Sequence, residues 1–214
     1  MALNVIFMDR LDAGKKLAIA LGKFKGVDGI VLAIPRGGIV VASEIADFLE
    51  FRLDIVIPRK IGAPDQPELA IGAISEDGTA FMNSDIIRRV GATGAYIKEE
   101  SGRQLIEIAR RMSVYRVGRP AIPLQDENII LVDDGVATGA TLKAAIKYVN
   151  NQNPSNLTVA IPVGPIQTIR ELRAEVDVIC LYSPDVFYAI GAFYSDFKQI
   201  TDEEVIMHLD KRRQ

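Results

Sequence analysis

The chain has 214 residues, 49% of them hydrophobic, enough to bury the core of one domain with at most a short appended lobe. Its 25 basic and 28 acidic side chains are intermixed and give a net charge of only -3, so no broad positive field draws it to nucleic acid or an anionic membrane. A single cysteine, Cys180, and a single histidine, His208, exclude an intramolecular disulfide, a thiolate metal cluster and a histidine-based zinc or triad chemistry. The opening "MALNVIFMDRLDAGKK" lacks the apolar run of a signal peptide, and no stretch is long and apolar enough for a membrane span. A cytoplasmic location is therefore expected.

Taken in chain order, apolar runs bounded by glycine or proline alternate with segments of helical period. The first predicted strand is "GIVLAI", 29–34, followed by a helix whose Val41, Ala42, Ile45 and Leu49 share one face. "LDIVI", 53–57, is the second. Residues 59–78, "RKIGAPDQPELAIGAISEDG", read as a long functional loop running into a short strand. "GATGAY", 91–96, is a turn that leads into a helix in which Leu105, Ile108, Ala109 and Met112 align. Three further strands are "NIILV" (128–132), "LTVAIPV" (157–163) and "VDVICLY" (176–182), with a helix carrying Leu142, Ala145, Ile146 and Val149 after the first of them. Cys180 reads as a buried strand residue, and His208, in a charged tail, as solvated or packed. The fold expected is α/β, an open, mostly parallel twisted sheet with flanking helices, its ligands at the carboxyl ends of the strands.

Two loops stand at that edge with chemistry to offer. After "NIILV", Asp133 and Asp134 emerge in the crevice, where carboxylates accept hydrogen bonds from vicinal hydroxyls. The small residues Gly135, Val136, Ala137, Thr138, Gly139, Ala140 and Thr141 follow and open a helix, so backbone N–H groups and two hydroxyls form an anion cradle. A polyol and a phosphate side by side outline a sugar phosphate. A P-loop fits worse because Gly139 is followed by Ala140 rather than lysine, and so does a dinucleotide fingerprint because these acids precede the glycines. The plain alternative is a strand end and a helix cap. After the first strand, "PRGG" places Arg36, Gly37 and Gly38 at the start of a helix; a simple strand-to-helix turn is the alternative there.

Ile129 to Thr141, "IILVDDGVATGAT", resembles the thirteen-residue signature of the type I phosphoribosyltransferases: an apolar strand, two acids and a small-residue loop ending T-G-x-T. "DRLDAGKKLA", "IPRGG", "RKIGAP" and "VFYAIGAFYSDF" are similar to a small bacterial and archaeal branch of that family whose substrates are poorly assigned. The resemblance implies a PRPP (5-phosphoribosyl 1-diphosphate) site, with Asp133 and Asp134 on the ribose 2- and 3-hydroxyls and Ala137–Thr141 on the 5-phosphate. It implies that Arg36, with Gly37 and Gly38, forms a diphosphate loop in which the peptide after the basic residue can be strained. Arg59 and Lys60, after the second strand, would offset leaving-group charge; solvated surface charges are the alternative for this pair. Magnesium would be bound mainly through PRPP, with no metal site built from protein side chains alone. The acceptor is an unidentified, nucleobase-like nitrogen compound, covered by a hood for which Phe187 and Tyr188 are candidates; packing of the tail aromatics is the alternative for these rings.

Ala137 stands where hypoxanthine-guanine members carry an aspartate thought to serve the purine N7, which counts against a 6-oxopurine acceptor. The resemblance further implies one phosphoribosyltransferase-like domain over 1–214, with 182–214 as hood and tail, a homodimer, and a role in nucleotide metabolism. Its alternatives are a non-catalytic PRPP-sensing regulator and a partner-dependent protein, since members of the branch occur fused to hydrolase-like domains.

Overall fold

A computed structural model describes residues 5–211; residues 1–4 and 212–214, the ends of the expected single domain and of its tail, lie outside the described residues. The chain opens with α1 (Arg10–Ala20), β1 (Ile30–Ala33), α2 (Gly38–Leu49) and β2 (Arg52–Ile55). It continues through β3 (Arg59–Ala63), β4 (Gln66–Ile74), β5 (Ala80–Met82), α3 (Ser84–Val90) and α4 (Gly94–Tyr115). It closes with β6 (Asn128–Val132), α5 (Ala140–Asn151), β7 (Asn156–Val163), α6 (Ile166–Arg173), β8 (Asp177–Tyr182) and α7 (Asp202–Asp210). Among the described residues no helix is long and apolar enough to cross a membrane.

These elements form two compact units. The first takes in the described residues up to Ile55, Ile122–Ala137 and the described residues from Asn153 onward. It holds a five-stranded parallel sheet in the order β2-β1-β6-β7-β8, with Ile30 aligned to Ile129 and Ile129 to Leu157. All four residues of β1 and four of the five in β6 are buried, because helices cover both faces of a parallel sheet and leave no side for polar alternation. β8 lies at the sheet edge and is only half-buried, Cys180 included. The aromatic tail packs with the start of the chain: Phe7, Phe193 and Tyr194 join Val163 and Ala13 in one cluster, with Phe7 and Tyr194 5.2 Å apart.

The second unit takes in Val56–Ala121 and Thr138–Gln152. Here the expected long loop is instead an antiparallel hairpin, β3 against β4, joined by β5 in a sheet of three strands. The turn between its first two strands uses Asp65 at φ 56°. Gly62 and Gly72 allow backbones to close in, since a Cβ on the first would meet Pro67 O at 2.7 Å and one on the second would collide with Phe81 O. α5 packs small residues on this sheet, with Ala140 and Ala144 against Ala70 and Ala73. The "GATGAY" segment is a turn: Gly91 closes α3 in the left-handed region and Thr93 caps α4 through the Tyr96 N–H. In α4 the inward face runs through Leu105, Ile108, Met112 and Tyr115, and Ala109, expected on that face, is exposed.

Candidate active site at the carboxyl edge of the parallel sheet

β6 delivers Asp133 and Asp134 to the carboxyl edge of the sheet, as does β1 the Pro35–Gly38 turn. The turn and the acid pair touch. A Cβ on Gly38 would lie 3.0 Å from Asp133 Cα and from Val132 O, and one on Gly37 would strike the Asp134 carboxylate. Both glycines are therefore required for close approach rather than for unusual dihedral angles. The Pro35–Arg36 peptide is cis; it precedes the basic residue, whereas the resemblance pointed to the peptide after it. Arg36 lies 3.7 Å from Asp202 at the start of α7.

Asp134 is buried and held from three directions. Arg10 Nε donates to Oδ2 at 2.6 Å, Tyr194 Oη donates to the backbone carbonyl at 2.7 Å, and the Asp134 N–H donates to Asp133 Oδ1 at 2.8 Å. Burial, and then the neighbouring Asp134 charge, push the Asp133 carboxyl well above the ordinary carboxylate range. Burial and the same charge raise the Tyr194 phenol, which stays protonated and donating. Neither Arg10 nor Tyr194 is singled out by the sequence. Arg10 lies within the quoted "DRLDAGKKLA", but its partner is 124 positions away, and no local pattern announces the contact.

The rest of the small-residue loop is fixed by its backbone. Gly135 leaves room for Ile190, whose Cγ2 would lie 2.6 Å from a Cβ; the Val136 N–H donates to Val163 O at 2.9 Å; and Thr168 Oγ1 donates to Ala137 O at 2.8 Å. Ala137 is exposed. Phe187 stacks on Phe193 with centroids 5.3 Å apart and so belongs to the tail cluster, whereas Tyr188 is 77% exposed.

In the second unit Thr138 is exposed, Thr141 is half-buried, and Gly139, at φ 77°, stands before α5 as its N-cap, followed by Ala140. The beginnings of α2 and α5 share a property. Their caps are Gly37 and Gly139, and among the described residues no side chain bonds to their first N–H groups; α6, capped by Pro165, shares this, whereas Asp9, Asn83, Thr93 and Thr201 cap α1, α3, α4 and α7 with side-chain oxygens. Helix starts of this kind direct backbone N–H groups and the positive end of the helix dipole at an anion. Arg59 donates from Nε to Gln104 Oε1 at 2.9 Å, and burial and nearby Arg111 lower its pKa. Lys60 pairs with the exposed Glu68 at 2.9 Å. No group of three or more His, Cys, Asp or Glu among the described residues is placed to hold a metal.

Comparison with known proteins agrees with this architecture. Residues 11–198 match the family described as phosphoribosyl transferase domain. Two curated proteins from strains of Mycobacterium tuberculosis, each named "Putative phosphoribosyl transferase", are 42% identical over 207 residues, which cover 96% of this chain and 47% of theirs. The chain thus spans about half the length of the curated relatives it matches. The crystal structure of TT1426 from Thermus thermophilus superposes with a TM-score of 0.82 at 40% identity, covering 96% of this chain and 98% of that one. A hypothetical protein from Neisseria gonorrhoeae, crystallised with bound ppGpp, shares the fold at a TM-score of 0.53 and 13% identity, with 98% of each chain covered. By the extent of the family match and the identity of these relatives, the chain belongs to the phosphoribosyl transferase domain family.

Proposed function

We propose that the protein binds PRPP and transfers its 5-phosphoribosyl group to a nitrogen of a nucleobase-like acceptor, with release of diphosphate. The observation that carries this reading is the joining of two motifs: Gly37 and Gly38 lie against Asp134 and Asp133 at one sheet edge. A ligand with a vicinal diol and a phosphate suits that pairing of carboxylates with the unblocked start of α2.

In this reading Asp133 and Asp134 accept the ribose hydroxyls, and the segment Ala137–Thr141 receives the 5-phosphate on its N–H groups and on the hydroxyls of Thr138 and Thr141. Gly37 and Gly38 admit the diphosphate next to Arg36, and Arg59 and Lys60 add positive charge as the glycosidic bond lengthens. Magnesium, bound mainly through PRPP oxygens, supplies charge neutralisation of the diphosphate. The acceptor nitrogen attacks the anomeric carbon, the carbon–oxygen bond to diphosphate breaks, and rate enhancement rests on positioning and electrostatics. Tyr188 is the better placed of the two hood candidates, because Phe187 is engaged with Phe193. We further propose a single functional domain over 1–214 with 182–214 as its tail, a homodimer, and a cytoplasmic role in nucleotide metabolism.

The test is diphosphate release from magnesium-PRPP with and without a pooled nucleobase and metabolite extract, beside calorimetric titration of PRPP into wild type and the Asp133→Asn, Asp134→Asn double variant. Extract-dependent release and loss of affinity in the variant are expected; unchanged affinity sinks the ribose assignment. The second reading is a PRPP-sensing or partner-dependent protein. In its favour is the matched share of the Mycobacterium tuberculosis relatives, 47% of their length. Saturable PRPP binding without release under any condition would decide for it.

A further inference from the structure

We propose that Arg10 is a positioning residue for Asp134, locked in place by the tail segment Tyr194–Lys198; the inference rests on reading Asp134 as a ribose-binding acid. Arg10 is 8% and Asp134 9% exposed, so their 2.6 Å contact is sheltered from water and from salt. Arg10 uses three features that only a guanidinium combines. Nε holds Asp134 Oδ2, Nη1 donates to the carbonyl of Lys198 at 2.7 Å, and the planar face lies 3.8 Å from the centroid of Phe197. The tail also grips the other end of the same residue, since Tyr194 Oη donates to the Asp134 carbonyl. Tyr194 and Phe197 pack ring on ring at 4.9 Å, so the two grips form one unit.

A carboxylate that must accept a hydroxyl at a defined place gains from this arrangement. One of its oxygens is pinned, its charge is balanced, and the arginine that does both is itself immobilised at two further points. The aromatic tail then has a duty beyond covering the acceptor: it sets the rotamer of an acid on the far side of the sequence. Replacement by lysine keeps the charge but loses the planar face and the second donor nitrogen.

The experiment compares Arg10→Gln, Arg10→Lys and Phe197→Leu with wild type, titrating magnesium-PRPP and, separately, magnesium diphosphate. Diphosphate lacks the ribose and reports the integrity of the rest of the site. Arg10→Gln is expected to weaken PRPP by roughly 10- to 100-fold, the range for a hydrogen bond to a charged group, and to leave diphosphate unchanged. Arg10→Lys and Phe197→Leu should show smaller losses for PRPP alone. Unaltered PRPP affinity, or equal losses for both ligands, would overturn the proposal. A wild type that binds neither ligand would overturn the functional reading instead. The contact is then read by melting temperature alone: the loss caused by Arg10→Gln should shrink in an Asp134→Asn background, and strictly additive losses would overturn the clamp.

Discussion

A Cβ built on Gly37 would collide with Asp134 Oδ2 and fall 2.8 Å from Arg10 Nε, so the turn after β1 and the acid after β6 occupy one another's space. Gly37 has φ -61°, a value open to any residue, which leaves contact as the reason for glycine. Gly37→Ala must therefore displace the carboxylate from its arginine. Overpacking of this kind costs about 1–3 kcal/mol, and at this chain length each kcal/mol is about 2–4 °C in Tm. The variant should melt several degrees lower and bind magnesium-PRPP more weakly; wild-type values for both would show that the turn has slack.

Much of this arrangement was legible in the sequence, for reasons that differ by residue. β1, β6 and β7 declare themselves because strands buried on both faces are continuous apolar runs. Asp133, Asp134 and the glycines belong to short loops directly after strands, so spacing alone places them at the carboxyl edge of the sheet. The β3–β4 hairpin was hidden by its own turn residues: Gly62, Pro64, Asp65 and Pro67 look like loop, and only tertiary pairing turns Arg59–Ala63 and Gln66–Ile74 into strands. Arg10 was invisible as a partner of Asp134 because nothing local encodes a contact 124 positions long. Phe187 and Tyr188 are neighbours of similar composition, and packing alone sent one into the tail cluster and left the other exposed.

Asp133 is expected to cost the fold stability. Its carboxyl is raised by burial and by Asp134, so the folded state binds the proton more tightly than the unfolded chain, where the ordinary value is 3.8. The sign follows from linkage. Below the unfolded pKa both states are protonated and no penalty exists; the penalty grows as pH rises toward the folded pKa and is constant above it. Asp133→Asn removes it and keeps an oxygen for the Asp134 N–H. The variant should melt higher than wild type near neutral pH, with the gap closing toward about pH 4. A gap independent of pH, or a lower melting point at about pH 8, would contradict the stated origin.

His208 should make the protein sensitive to mild acid. It is 8% exposed in α7, Nδ1 has no hydrogen-bond partner among the described residues, and burial, with Lys211 next, lowers its pKa from the ordinary 6.5, against the opposing pull of Glu204 and Asp47. The folded state therefore favours the neutral imidazole. As pH falls below 6.5 the unfolded chain takes up the proton first, so stability declines until the folded pKa is passed and is level beyond it. The orphaned nitrogen adds a cost of its own, about 1–3 kcal/mol for an unsatisfied buried polar atom. His208→Leu, close in bulk and unable to titrate, should match or exceed the wild-type Tm at about pH 7.5. Its advantage should widen between about pH 6.5 and about pH 5.5, a window above the range of ordinary carboxylates. Melting curves at half-unit steps measure this directly, and an advantage that stays constant or narrows on acidification would remove the histidine as the cause.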